Sequence, residues 1–184
     1  MIILSGMSCA GKDTVLKELL NLGMKPVISY TTRDKRPSET DDVEYHFISD
    51  EDFEQKNAKG FFAETTEYNT VNGIKKYGSA VDDLSDDKAI ILNPEGVNII
   101  KSISELNPVV FYVKADEQTI RERLSIRGDD MKEAERRLEA DKRDFRGFDD
   151  IADYIVFSDN DSTPVELAKL ILEIYRQRQR KENA

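Results

Sequence analysis

Residues 1–14 read MIILSGMSCAGKDT. Met1 to Leu4 is a short apolar run that stops at a glycine-rich turn, as a buried parallel strand does. From Lys12 to Asn21 the residues Val15, Leu16, Leu19 and Leu20 share one face at helical spacing. A strand, a glycine-rich loop and a helix, in that order, form the setting in which G-x-x-x-x-G-K-[ST] cradles phosphates. Gly6, Met7, Ser8, Cys9, Ala10, Gly11 and Lys12 fit the first seven positions. Gly6 and Gly11 permit backbone angles that side chains forbid and let the chain approach a ligand closely. The loop N–H groups form an anion nest, and the helix that follows adds its positive end. Lys12 supplies a point charge for the β and γ phosphates.

The eighth position departs from the pattern. Asp13 stands where Ser or Thr is expected, and Thr14 follows. A hydroxyl there normally holds Mg²⁺. A carboxylate 4 Å from a phosphate charge is repelled by about 4 kcal/mol at an effective dielectric near 20. Asp13 must therefore face Mg²⁺, an arginine or solvent. Asp13 and Thr14 are the candidate Mg²⁺ contacts, through water, with the Thr14 hydroxyl near the α phosphate. The alternative is that Asp13 simply favours a helix N-terminus.

Further strands are expected at Pro26–Tyr30, Ala89–Leu92, Pro108–Val113 and Tyr154–Phe157, with helical segments between them. The last helix, Thr163 to Arg178, has a legible start: Thr163 as cap, Pro164 at the first helical position and Glu166 closing a capping box. Alternating strands and helices imply a parallel sheet covered on both faces.

Two stretches break the rhythm. Residues 31–79 look antiparallel. Val43 to Ile48 alternates apolar and polar, and Phe61–Val71 meets Ile74–Tyr77 across Asn72-Gly73, a strong hairpin signal. Between them a helix is expected over Asp50–Ala58, capped by Ser49. The second stretch, 125–146, is charged nearly all round and rich in arginine. It reads either as a solvated hairpin or as a mobile cover that closes on an anion.

Composition narrows the class. The 184 residues carry a net charge of −10, which argues against a nucleic-acid or anionic-membrane surface. It leaves room for a small phosphate ligand, which feels local fields. With one cysteine, Cys9, no internal disulfide forms, and a reducing, cytoplasmic setting is the natural reading. The N-terminal apolar run is too short for a signal or membrane segment.

Ser29 to Tyr45 reads SYTTRDKRPSETDDVEY. This resembles the guanylate kinase family signature S-x-T-T-R-x-x-R-x-x-E-x-x-G-x-x-Y, with Asp42 in place of the usual glycine. The phosphate loop resembles the family's G-P-S-G-A-G-K-S-T. Phe62-Ala63-Glu64 resembles F-x-E, Tyr77-Gly78-Ser79 resembles Y-G-[ST], and Asn93-Pro94-Glu95-Gly96 stands where D-x-Q-G is common. Arg123-Leu124, Arg127-Gly128 and Arg137-Leu138 follow an R-L-x-x-R-G…R-L stretch. The likeness runs through nearly the whole chain in order.

The resemblance implies a three-layer α/β P-loop NTPase fold with a parallel sheet, a small mixed β acceptor-binding lobe and a helical lid. The core would take 1–30, 80–124 and 147–184, the lobe 31–79 and the lid 125–146. It implies a nucleoside monophosphate kinase that uses ATP, Mg²⁺ and GMP or dGMP. Gly6, Ser8, Cys9, Ala10, Gly11, Lys12, Asp13 and Thr14 would bind ATP. Arg33, Arg36, Tyr45 and Tyr77 would grip the acceptor phosphate, since guanidinium forks bind phosphate bidentately and phenols donate to it. Glu64 and Ser29 would read the base with help from Ser79, and Asn93 would line the acceptor site. Guanine presents an N1–H and a 2-amino group that one carboxylate can accept together; adenine lacks that pair. Lys12, with Arg127 and Arg137 from the lid, would neutralise the transferring phosphoryl.

Each piece has a plainer reading alone. TTRDKR could be a solvated loop, Tyr45 and Tyr77 surface aromatics, Glu64 an exposed hairpin residue, and the lid arginines partners of Glu133, Glu135 and Glu139. His46 reads as ordinary, and Cys9 as a small filler. Asn93 for aspartate, Ile91 two residues earlier, Ser158 for asparagine and a long hairpin at Asn69–Lys76 depart from the family pattern. They keep other acceptors open: another purine monophosphate, a sugar phosphate or a ribose bisphosphate. A non-catalytic binding module is the remaining alternative. The protein is expected to be a monomer or homodimer without a nucleic-acid or membrane partner.

Overall fold

The computed structural model describes residues 1–37, 39–70, 73–127, 131–159 and 162–182, with the backbone alone at 127, 131–133 and 182. Two sheets organise the chain. The larger has five parallel strands in the order β2, β7, β1, β8, β9: Lys25–Pro26, Lys88–Ile91, Ile2–Ser5, Val109–Lys114 and Tyr154–Phe157. β1 is central, which explains its uninterrupted apolar run. Ile2 and Leu4 face one layer and Met1 and Ile3 the other.

The first layer packs β1 against α1 (Lys12–Asn21) through Val15 and Leu19, and against α6 (Pro164–Glu182) through Leu167, Ala168, Ile171 and Tyr175. The second is built from α3 (Pro94–Lys101), through Val97 and Ile100, with Phe145 and Phe148. The two apolar layers with the sheet between them make the three-layer α/β architecture expected. The capping box forms as read: Thr163 Oγ1 accepts from Glu166 N–H at 3.3 Å, and Glu166 Oε2 accepts from Thr163 N–H at 3.0 Å. Ser49 likewise caps α2 (Asp50–Ala58) by accepting from Asp52 N–H.

The smaller sheet has the order β4, β3, β6, β5: His46–Phe47, Tyr30–Thr31, Gly73–Ala80 and Phe62–Thr70. β5 and β6 form the expected antiparallel hairpin, with Thr70 paired to Gly73. Residues 71–72, including Asn72 of the turn signal, lie outside the described residues.

Three expectations are corrected. The single strand at 26–30 is two pieces in different sheets. Pro26 pairs with β7 and Tyr30 with β6, so the chain crosses between sheets at 27–29. Pro26, which has no N–H, sits on an edge strand, where the missing donor does least harm. The strand at 43–48 shrinks to His46–Phe47 and runs parallel to β3. Asp42 adopts a left-handed φ of 62° and Val43 is 58% exposed, so the alternation there belongs to a turn. Finally, the charged stretch is not polar all round. α4 (Glu117–Arg127) and α5 (Met131–Asp144) bury Ile120, Leu124, Ala134 and Leu138 in one cluster with Met7 and Cys9. Two residues of one short apolar stripe, Ala134 and Leu138, seat α5 against the loop after β1.

Candidate active site

The loop between β1 and α1 is constrained at both glycines. A Cβ on Gly6 would stand 2.3 Å from the Val113 carbonyl oxygen of β8, closer than any side chain tolerates. Gly11 has a left-handed φ of 93°, and a Cβ there would meet Ser158 Oγ at 2.8 Å. Cys9 also has a positive φ, 59°, unusual for a residue with a side chain. Its side chain packs on the α4–α5 cluster.

Lys12 lies at the start of α1 and folds back over the loop, Nζ donating to the Met7 carbonyl at 2.8 Å. Burial pushes its pKa down, and the charges of Asp13 and Asp141 partly restore it. Asp13 and Thr14 are exposed at the same helix start. Ser8 N–H donates to Asp141 Oδ2 of α5 at 2.5 Å. The loop therefore holds an anion of the protein's own on one of its amides.

Arg123 of α4 braces the loop from the other side. Its guanidinium donates to the Cys9 carbonyl at 3.2 Å, to Ser158 Oγ at 3.3 Å and to the Ser158 carbonyl at 2.9 Å. Sequence reasoning gave Arg123 no role, although it is the first arginine of the R-L-x-x-R-G run. Arg137 is exposed on α5, one turn before Asp141. The Arg127 side chain lies outside the described residues. A cavity of about 380 Å³ opens at the ends of β8 and β9, lined by Met7, Ala115, Asp116 and Asp159 among others. The carboxyl ends of parallel strands are where such sheets bind ligands.

The smaller sheet gathers a second set of residues. Glu64 is 5% exposed and Oε1 accepts from Ser79 Oγ at 2.7 Å. Ser79 Oγ in turn lies 3.1 Å from Ser29 Oγ. Glu64 is thus a buried carboxyl held by Ser79, with Ser29 behind that serine, and not an exposed hairpin residue. Burial raises its pKa, and the hydrogen bond from Ser79 partly offsets that. Asn93 caps α3 close by, Oδ1 accepting from Gly96 N–H at 2.8 Å.

Farther along the same sheet, Arg33 lies over the rings of Tyr45 and Phe47, at 5.4 and 5.5 Å. The Tyr45 and Tyr77 rings meet edge-on at 5.8 Å. Burial raises the Tyr45 pKa, and negative charge, including that of Asp13, adds to the effect. Glu39 was missed by sequence reasoning. Its carboxylate accepts a fork from Arg33 at 2.8 and 2.9 Å and the Arg36 N–H at 2.7 Å. The hydrogen bonds from Arg33 hold the Glu39 carboxyl at about 2. The Arg36 side chain is exposed on the loop.

The chain thus carries two groups of polar residues: a glycine-bent amide loop with one lysine, and a buried carboxyl on the same small sheet as an arginine–tyrosine cluster. Comparison with known proteins places the whole sequence. The family model described as "Guanylate kinase" matches residues 1–173. The chain belongs to the guanylate kinase family.

It is 30% identical to a guanylate kinase of Symbiobacterium thermophilum over 178 residues, covering 95% of this chain and 82% of that one. It is also 30% identical to a guanylate kinase of Aliivibrio fischeri over 189 residues, 99% of this chain and 91% of the relative. A crystal structure of guanylate kinase from Anaplasma phagocytophilum superposes with a TM-score of 0.74 at 21% identity, covering 97% of this chain and 85% of that one. At that identity the superposition speaks for the fold. This guanylate kinase family member is a phosphotransferase. No described helix is long and apolar enough to cross a membrane.

Proposed function

We propose that this chain transfers the γ-phosphoryl group of ATP to GMP or dGMP, in a cytoplasmic setting. The observation that carries the acceptor is the buried Glu64–Ser79–Ser29 network. A carboxylate at the floor of the site can accept the N1–H and 2-amino hydrogens of guanine together. Adenine at that site leaves buried charge unpaired, which costs far more than a lost contact.

The residues divide the work. The amides of Ser8, Cys9, Ala10 and Gly11 and the Lys12 ammonium hold the donor phosphates, with Gly6 keeping the backbone close. Arg33, Arg36, Tyr45 and Tyr77 hold the acceptor phosphate opposite them, Glu39 keeping the Arg33 fork in place. Asn93 borders the acceptor. Arg127 and Arg137, carried by the α4–α5 lid, meet the transferring group. The residues 31–79 act as the acceptor lobe and 125–146 as the lid; their closure excludes water that would otherwise take the phosphoryl. Since the acceptor phosphate is already ionised, no strong general base is required, and the rate comes from positioning and charge stabilisation.

Mg²⁺ fits the donor set at the loop. Asp13 and Thr14 offer hard oxygens, exposed at the helix start, and Mg²⁺ is normally shared between one or two such groups, water and substrate phosphates. Asp13 and Thr14 would hold it through water. The ion, when bound with ATP, neutralises charge on the β and γ phosphates.

The test is an ADP-release assay with ATP, Mg²⁺ and a panel of acceptors, run on the unsubstituted protein and on Glu64→Ala. GMP turnover that falls by about a hundredfold or more in Glu64→Ala supports the reading. Equal activity of the two proteins removes Glu64 from base recognition.

A further inference from the structure

The acceptor network leaves one aromatic residue without a role. Glu64, Thr66 and Tyr68 lie two residues apart on β5 and so share a face. Across the hairpin they pair with Ser79, Tyr77 and Lys75. Glu64 and Thr66 are buried, whereas Tyr68 is 46% exposed. The face opens progressively from the carboxyl towards the hairpin tip.

Tyr68 lies where that face meets both halves of the proposed acceptor site. Its ring stands edge-on to Tyr77 at 5.4 Å, and Tyr77 stands edge-on to Tyr45. Its hydroxyl end lies beside the Asn93 side chain and within reach of the Glu64 charge. Burial of that hydroxyl, with the Glu64 carboxylate nearby, pushes its pKa up to about 12, so it stays a donor at any physiological pH.

The floor beneath is closed. A Cβ on Gly96 would stand 3.2 Å from Asn93 Oδ1 and 3.3 Å from Glu64 Oε2. Asn93 and Glu64 therefore lie on either side of one glycine. Asn93 Oδ1 is occupied by the Gly96 N–H, which turns its NH₂ towards other partners.

In any nucleoside monophosphate the sugar lies between base and phosphate. With the base at Glu64 and the phosphate at Arg33, Tyr45 and Tyr77, the sugar passes Tyr68 and Asn93. We propose that Tyr68, opposite Asn93, is a specificity-determining residue that donates a hydrogen bond to a ribose hydroxyl of the acceptor. This rests on the GMP reading above.

The experiment compares Tyr68→Phe with the unsubstituted protein on GMP, 2′-deoxy-GMP and 3′-deoxy-GMP at saturating ATP and Mg²⁺. Phe keeps the ring on Tyr77, and an unchanged melting temperature verifies the fold. For GMP, kcat/KM falls by about tenfold, mainly through KM. For the analogue lacking the hydroxyl that Tyr68 reads, the two proteins are alike. An equal penalty on all three acceptors, or none on any, overturns the role of Tyr68 while leaving GMP turnover by the unsubstituted protein intact. An unsubstituted protein inert on GMP overturns both readings.

Discussion

Asp141 Oδ2 accepts the Ser8 N–H at 2.5 Å, across 133 residues of sequence. The contact ties α5 to the phosphate loop, and it does so with a negative charge that also acts on Lys12. ATP brings its own negative charge to the same amides. In the ATP complex proposed above, Asp141 and the triphosphate would compete, and α5 is expected to shift.

The consequence is measurable by calorimetric titration of ATP. Asp141→Asn keeps the size of the side chain and removes the charge. ATP affinity should rise by about tenfold, the equivalent of about 1.4 kcal/mol, and the gain should shrink as salt is added. Unchanged or weaker ATP binding would mean that Asp141 leaves the ligand's path untouched or helps to hold it.

Lys12 is the second target. Its ammonium is buried over the loop and bonded to the Met7 carbonyl. Lys12→Ala should lower kcat by at least about a hundredfold, the scale of losing one preorganised charge at a transferring group. Circular dichroism should show the fold retained. Retained turnover would refute the assignment of the loop.

Arg123 tests the architecture under the loop. It is half-buried and makes three hydrogen bonds to Cys9 and Ser158. Arg123→Ala removes charge-assisted hydrogen bonds, worth about 2 kcal/mol together after solvent exchange. A chain of this size should lose about 5 °C in Tm, and the KM for ATP should rise. A Tm within 1 °C of the parent, roughly the scatter expected for a neutral surface change, would contradict the bracing role.

Glu64 and Glu39 have pKa values displaced in opposite directions, and each sets a pH dependence. Burial raises the Glu64 pKa, and guanine needs the ionised form. GMP affinity should therefore improve as pH rises through a value above the ordinary glutamate range, and Glu64→Gln should flatten that profile. Hydrogen bonds from Arg33 lower the Glu39 pKa to about 2. Its stabilising contribution is present above the unfolded glutamate pKa, about 4.3, and is lost as pH falls from there through about 2. Glu39→Gln should remove that acid-limb loss in a pH series of thermal melts and raise the KM for GMP at neutral pH.

Local pattern made much of this legible from sequence. The phosphate loop, α1, the caps at Ser49 and Thr163 and the hairpin β5–β6 depend on residues a few positions apart. Their spacing carries the information. Glu64 could be singled out for its place in F-x-E, but its burial comes from packing against β6 and α3. The division of 26–30 between two sheets depends on partners in distant parts of the chain, β7 at Lys88–Ile91 and β6 at Gly73–Ala80, and the parallel course of β4 depends on its pairing with β3. The apolar stripe of α5 was hidden because two residues, Ala134 and Leu138, carry it among charges. Asp141 at Ser8 and Arg123 at Ser158 were hidden for the same reason: nothing local distinguishes one acid or one arginine on a charged helix from its neighbours.

The most direct test of the central claim is ADP release from ATP and Mg²⁺ with GMP or AMP as sole acceptor, with the phosphorylated product identified by mass. Guanine recognition by a buried carboxylate predicts GDP formed at least about a thousandfold more efficiently than the adenine product, the discrimination expected when a site built to accept hydrogen bonds loses its donors. Comparable rates with AMP, or release of ADP that ignores GMP, would contradict it.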